Sequence, residues 1–325
     1  MSIACIQQSP RLERASFERC WVGWPPVSTP RTLMLPAGIR RVTFRTSRGN
    51  FAALEALPGS GVHERQPALL IPGYTGSKED FLPVLQPLAA AGRQVVAIDM
   101  RGQYETPGTD DPGAYEFAAL AADVALIADQ LDIGPPDGVH LLGHSLGGLV
   151  AREILLARAT RVSSLTLMSS GPGGLTGPRA AILKALLAEL GPAGQEDLQD
   201  QVKRVWATYL EPQAVAEGTP DTIMKFVRTR MLTSSPTGLR SMGENLLSCP
   251  DRTKALAGLG VAPLLVVYGE DDDAWDPATQ EDMALRLGAE RVCIPAAAHS
   301  PAVEAPETTA STLTHFWNAA ECRRR

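Results

Sequence analysis

A chain of 325 residues, 44% hydrophobic and 20% charged, can bury one large α/β domain with room for an insertion, and is not disordered as a whole. A formal charge of −6, with no dense Lys/Arg run before Arg323-Arg324-Arg325, argues against nucleic acid as a partner. The five cysteines (Cys5, Cys20, Cys249, Cys293 and Cys322) are scattered and lack C-x-x-C spacing, which argues against a disulfide framework or a zinc site and fits a reducing cytoplasm.

No apolar run approaches the roughly 18 residues that a membrane span requires. The first 30 residues mix Arg, Glu, Trp and Pro without an apolar h-region, so they carry no secretory signal and read as a loose extension through residue 37. Met34 is an alternative start, because regular sequence begins just after it. Arg40–Thr46 alternates like a strand, and Phe51–Ala56 reads as its hairpin partner across Arg48-Gly49-Asn50. Ala68–Ile71 is a continuous apolar run, as expected for a strand buried on both faces. Ser77–Ala91 reads helical up to Gly92, and Val95–Ile98 is the next buried strand. Tyr115–Leu131 has helical spacing and ends near Gly134-Pro135-Pro136. Val139–Leu142 then reads as a strand, Gly148–Leu156 as a helix and Val162–Met168 as a strand. From Gly171 to Pro250 only helical patterns occur, punctuated by Gly177-Pro178, Gly191-Pro192, Thr219-Pro220 and Ser235-Pro236. The last two pairs set a capping residue before a proline suited to the first helical turn. Alternation resumes with Pro263–Tyr268 as strand, Thr279–Leu287 as helix, Arg291–Ile294 as strand and Pro306–Asn318 as helix. The expected organisation is an α/β core over 38–170 and 251–320, built on a mostly parallel doubly wound sheet, with 171–250 inserted as a helical lid.

The sharpest local feature is Gly143-His144-Ser145-Leu146-Gly147, a G-x-S-x-G turn between a strand and a helix. Glycines flank the serine because a Cβ at either site would crowd the neighbouring strand and helix. The helix that follows aims its positive end at the serine, where an oxyanion would form. An ordinary Gly/Ser turn is the alternative, and the strand before and helix after favour the nucleophile elbow.

A serine needs a base to take its proton and a carboxylate to orient that base. On this kind of sheet the chain order is Ser, acid, His. Of His63, His140, His144, His299 and His315, only the last two come late enough. His315 falls inside the last helical pattern, whereas His299 sits in the Ala296–Pro301 loop directly after a strand. His144 adjoins the serine but should point away from it, into packing or the pocket wall. The acid should follow the strand ending at Tyr268, where Glu270, Asp271, Asp272, Asp273 and Asp276 cluster. Asp272, three residues past Gly269, is the favoured acid and Asp273 the alternative. One oxyanion donor should be the Leu146 N–H. The second should be the Tyr74 N–H in the loop Ile71–Ser77, unless that loop is only a Gly/Pro turn.

Taken together, Pro72-Gly73-Tyr74-Thr75-Gly76-Ser77, Asp99-Met100-Arg101-Gly102, the elbow, Gly269-Glu270-Asp271-Asp272 and Ala298-His299-Ser300-Pro301 resemble the α/β-hydrolase superfamily from about Ile39 to Asn318. One departure is Pro72-Gly73, where many relatives have His-Gly. Asp99 and Arg101 resemble the loop-bracing residues of that family. The resemblance implies a carboxylesterase-like hydrolase that cleaves an ester, lactone or related acyl bond through an acyl-enzyme on Ser145, with no cofactor and no metal. The same residues would serve an aminopeptidase, a carbon–carbon bond hydrolase, an acyltransferase or a cofactor-free perhydrolase. A non-catalytic binding protein is the remaining alternative. Ser145 excludes haloalkane dehalogenase and epoxide hydrolase chemistry, which need a carboxylate at the elbow. The expected partner is a small molecule with an apolar acyl group, and the reading leaves room for a homodimer. Its pocket wall would draw on His144, Trp206, Tyr209, Met224, Phe226, Met231, Met242 and Trp275.

Overall fold

Strand and helix follow the two apolar periods of the chain, and together they build one sheet. The computed structural model describes residues 29–59, 65–131, 138–190, 197–260 and 262–323. The extension through residue 28, the turn at 134–136, the Gly191-Pro192 pair, His63, Cys5, Cys20 and the last two arginines lie outside the described residues.

β1 (Ile39–Thr46) and β2 (Gly49–Ala56) form an antiparallel hairpin. Its turn is one step earlier than the sequence suggests. Gly49 pairs with Thr46 and Asn50 with Arg45 in the ladder, so Ser47 and Arg48 make the bend. β3 (Arg65–Ile71), β4 (Arg93–Ile98), β5 (Val139–His144), β6 (Val162–Met168), β7 (Leu264–Gly269) and β8 (Glu290–Ile294) complete an eight-stranded sheet. The spatial order is β1-β2-β4-β3-β5-β6-β7-β8, antiparallel up to β4 and parallel from there on. Every residue of β5 is buried, as expected for a strand covered on both faces.

Helices cover the two faces. α1 (Leu82–Ala90) packs on one side, while α2 (Phe117–Leu131) and α3 (Leu146–Ala157) pack on the other. One core gathers Leu69, Ile127, Leu141 and Leu149; the opposite core gathers Leu70, Leu85, Leu142 and Trp317. Between β6 and β7 the described chain is helical. It comprises α4 (Gly177–Glu189), α5 (Leu198–Val205), a π-type turn (Trp206–Leu210), α6 (Glu211–Ala216), α7 (Asp221–Thr233), α8 (Pro236–Ser248) and the short α9 (Thr253–Ala257). Ser235 caps α8, its hydroxyl accepting from the Gly238 N–H at 3.1 Å. Thr219 does not cap α7: Pro220 occupies that position and Asp221 supplies the negative charge of the first turn.

α10 (Pro277–Leu287), α11 (Pro301–Glu304) and α12 (Pro306–Cys322) follow. α12 runs past Asn318 because its last turn is tied to the sheet. Arg93 on β4 is fully buried and donates to Glu321 at 2.9 Å, and Arg65 donates to the same carboxylate at 3.1 Å. His140 lies 3.2 Å from it and stacks on Trp317. Burial works to raise the Glu321 pKa, but the His140 hydrogen bond and the Arg93 charge outweigh it and bring the carboxyl down to about 2. No helix among the described residues is long and apolar enough to cross a membrane.

Removing one partner of a buried pair strands the other charge, at about 3–5 kcal/mol. Glu321→Ala, which leaves Arg93 buried without its carboxylate, is expected to lower Tm by roughly 5–10 °C in a thermal melt. An unchanged Tm would show that Arg93 does not depend on this partner.

Candidate active site

At the end of β5 the chain must reverse into α3 within one residue. Ser145 takes φ 55 and ψ −121 there, a region that L-residues rarely adopt and that holds about 1–3 kcal/mol of strain. Two glycines make room for it. A Cβ on Gly143 would collide with the Gly147 backbone, and a Cβ on Gly147 would collide with the Ile71 and Pro72 carbonyls. The strained residue is also tied at both ends, its N–H donating to Met168 O at 2.9 Å and its carbonyl accepting from Ser170 Oγ at 2.8 Å. Its hydroxyl is thereby presented beyond the sheet, at the N-terminus of α3.

Loops at the carboxyl ends of β7 and β8 bring two further groups to it. His299 Nε2 lies 3.1 Å from Ser145 Oγ, and His299 Nδ1 lies 3.0 Å from Asp272 Oδ1. An ionised carboxylate only accepts, so Nδ1 carries the proton and donates it; Nε2 then holds the lone pair that accepts the serine O–H. The three side chains therefore form one continuous donor–acceptor chain.

The two neighbouring aspartates differ in environment. Asp272 is 3% exposed and accepts from the Ala274 N–H at 3.0 Å and from Gln280 Nε2 at 2.9 Å. Burial works to raise its pKa, but the charge of His299 and these hydrogen bonds outweigh it and hold the carboxyl below the usual range. The Asp273 side chain is 54% exposed and points away, to Arg179 of α4, which grips it at 2.5 and 3.1 Å. The sequence favours Asp272 only by its distance from Gly269; the bends of the loop after β7 separate the two.

His144 turns behind His299. Its Nε2 donates to the His299 carbonyl at 2.7 Å, and the two rings lie 5.0 Å apart. Burial, and next the charge of His299, push its pKa down from 6.5 to about 3. Gly73 reaches the serine closely enough that a Cβ there would lie 3.2 Å from Ser145 Cβ. Among the described residues neither the Tyr74 N–H nor the Leu146 N–H has an acceptor. The Tyr74 hydroxyl donates to Leu239 O in α8, and burial raises its pKa.

The loop behind is braced by buried charge. Asp99 accepts from the Lys78 N–H at 2.8 Å and from Lys78 Nζ at 2.7 Å. Burial raises the Asp99 carboxyl to about 7, although Lys78 opposes the shift. Arg101 pairs with Asp123 of α2 at 2.7 Å. Asp80, which accepts from the Ser77 N–H at 3.1 Å, receives Arg230 of α7 at 2.9 Å.

A cavity opens above Ser145 and His299. Its walls are mostly aliphatic, from Ile182, Leu183 and Leu186 of α4, Leu210, Met231 of α7 and Leu246 of α8, with Arg179 of α4 among them. His144 and Met231 are wall residues, but the other side chains expected there are not. Trp206 and Met242 are buried inside the helical segment, and Tyr209 and Met224 pack half-buried against that core. Phe226 meets the edge of Tyr104 at 5.4 Å. Trp275 folds back on Gly171 and donates its indole N–H to Gly173 O at 3.2 Å. The large rings pack away from the serine, and smaller aliphatic side chains face it. Gln280, Arg179 and Gln103 have no sequence signal that would have marked them. Among the described residues no cluster of three or more His, Cys, Asp or Glu could hold a metal ion.

The model of the alpha/beta hydrolase family matches residues 68–312. A Variovorax paradoxus protein named as the carbamate hydrolase RutD is 36% identical over 141 residues, 43% of this chain and 52% of that one. The 2-hydroxy-6-oxononadienedioate/2-hydroxy-6-oxononatrienedioate hydrolase of Cupriavidus pinatubonensis is 31% identical over 209 residues, 62% of this chain and 67% of that one. The chain thus spans about half of the first relative and two thirds of the second. Among solved structures, the enol-lactonase of Burkholderia xenovorans matches with a TM-score of 0.63 at 20% identity, covering 85% of this chain and 100% of that one; this is a likeness of fold.

Between pH 6.5 and 3 the unfolded chain binds a proton at His144 that the folded chain refuses. Stability is therefore full above that window and falls on acidification, by up to about 1.4 kcal/mol per pH unit for this group. His144→Gln, which keeps an N–H donor, is expected to remove about one proton from the pH dependence of urea unfolding between roughly pH 6 and 4.5. An unaltered slope would mean that His144 is protonated in the fold.

Proposed function

Since the chain belongs to the alpha/beta hydrolase family, we propose that Ser145, His299 and Asp272 hydrolyse a carboxylic ester, a lactone or a related acyl bond. The observation that carries this reading is the unbroken hydrogen-bonded chain from Ser145 Oγ through His299 to Asp272, under an apolar cavity. Ser145 Oγ attacks the acyl carbon while its proton passes to His299 Nε2. Asp272 holds the Nδ1–H and stabilises the imidazolium that results. The Leu146 and Tyr74 N–H groups receive the oxyanion. His299 then gives the proton to the departing alkoxide, which leaves as alcohol. Water, deprotonated by the same nitrogen, releases the acid and restores Ser145. This chemistry asks for no cofactor.

The helical segment over 171–250 acts as a lid, and its aliphatic wall favours an uncharged, apolar acyl group. The scattered cysteines fit work in the cytoplasm. A second reading, hydrolysis of a carbon–carbon bond with the same three residues, draws on the name of the Cupriavidus relative.

Turnover of p-nitrophenyl butyrate tests the assignment. Ser145→Ala is expected to lower kcat by about 10⁴-fold or more, and Asp272→Asn by about 10³–10⁴-fold. Asp273→Asn is expected to stay within roughly tenfold of the wild type, as a half-exposed residue bonded to Arg179 should. A larger loss at Asp273 than at Asp272 would assign the acid to the other side chain, and ester turnover that survives Ser145→Ala would remove the serine from the reaction.

A further inference from the structure

The peptide unit between Gly73 and Tyr74 carries a carbonyl at one end and, at the other, the N–H assigned to the oxyanion. A trans peptide is planar, and its C=O and N–H point in opposite directions. Whatever fixes the Gly73 carbonyl therefore aims the Tyr74 N–H. Gln103 is that group. Its Nε2 donates to Gly73 O at 2.7 Å and to Tyr74 O at 3.1 Å, and its Oε1 accepts from the Met100 N–H at 3.0 Å. These three contacts fix the amide orientation, because the reverse would set Oε1 against two carbonyl oxygens. The side chain is buried, so no water competes for the carbonyls. The Gly76 N–H adds a second, longer bond to Gly73 O at 3.2 Å.

Gly73 itself lies against the serine, since a Cβ built on it would come within 3.2 Å of Ser145 Cβ. The Tyr74 side chain is held at its far end by Leu239 O, so the residue cannot swing to follow a rotated peptide. We propose that Gln103 is a positioning residue for the oxyanion site. It turns the Gly73–Tyr74 peptide so that the N–H faces the space beside Ser145 Oγ, and it polarises that N–H by bonding the carbonyl of the same unit. The inference rests on reading Ser145 as the nucleophile.

A donor aimed at a developing charge acts in the transition state and leaves ground-state binding alone. In Gln103→Met, which keeps the length of the side chain and loses both donors, kcat for p-nitrophenyl butyrate is expected to fall about 10–100-fold, with KM within about twofold. The affinity of an alkyl trifluoromethyl ketone, whose serine adduct carries an oxyanion, should fall by the same factor. The affinity of the matching unreactive alcohol should not change. If Gln103→Met does not fold, as judged by circular dichroism, Gln103→Ala is read instead, since it leaves space for water at the carbonyls. Wild-type kcat in the folded variant, or an equal loss of affinity for both ligands, would overturn the role of Gln103. Turnover that is abolished by Ser145→Ala and yet indifferent to residue 103 would overturn this inference alone. Absence of Ser145-dependent turnover in the wild type would overturn the underlying reading as well.

Discussion

The strained backbone at Ser145 is the constraint on which the site depends. A φ of 55 and ψ of −121 at a non-glycine residue persists only where the surroundings over-determine it. Here the surroundings are close approaches: the backbone of Gly143 against that of Gly147, Gly147 against the carbonyls at the end of β3, and Gly148 against the Ser170 side chain. None of them tolerates a Cβ, so the pattern of glycines is a pattern of contacts. The same compression that strains the serine lifts its hydroxyl off the sheet and sets it over the first turn of α3. Fold and reactive group are linked at this residue: the turn that lets a parallel strand enter its crossover helix also exposes the oxygen.

The other groups are placed by the carboxyl ends of β7 and β8, and burial decides their roles. Asp272 is enclosed and receives donors from a backbone N–H, an amide side chain and an imidazole. A carboxylate so surrounded stays ionised and can orient one tautomer of His299. Asp273, one residue on, is spent on Arg179 and couples the loop to α4. Its pairing also neutralises the charged side chain nearest the cavity. The helical segment is joined to the sheet at other points around the site, through Arg230 on Asp80 and through the Tyr74 hydroxyl on α8. It is therefore a wall of the site, bonded to the same loop that carries the Tyr74 N–H.

Much of this was legible in the sequence. The apolar runs give six of the strands to within two or three residues, because a strand buried on both faces is mostly apolar. The G-x-S-x-G turn stands out because its glycines answer a backbone demand that few other residues can meet. His299 could be singled out by chain order and by its loop. What the sequence could not resolve depends on long-range geometry. Five carboxylates within seven residues look alike until the loop is folded. Trp206, Tyr209 and Phe226 are apolar and at helical spacing, yet that spacing does not tell a residue facing a cavity from one facing another helix. Gln103 and Gln280 act through amide groups that bear no charge and belong to no spacing, so only the folded contacts reveal them. α12 extends beyond its apolar pattern because Glu321 finds Arg93 across the sheet, a contact 228 residues distant in the chain.

The central claim is that the Ser145 oxygen is a nucleophile activated by its neighbours, and covalent capture tests it most directly. The wild-type protein would be treated with a fluorophosphonate, digested, and its peptides mapped by mass spectrometry. One phosphonyl group per chain, on the oxygen of Ser145, is the predicted result. A folded protein that remains unlabelled, or that carries the group on another residue, would contradict it.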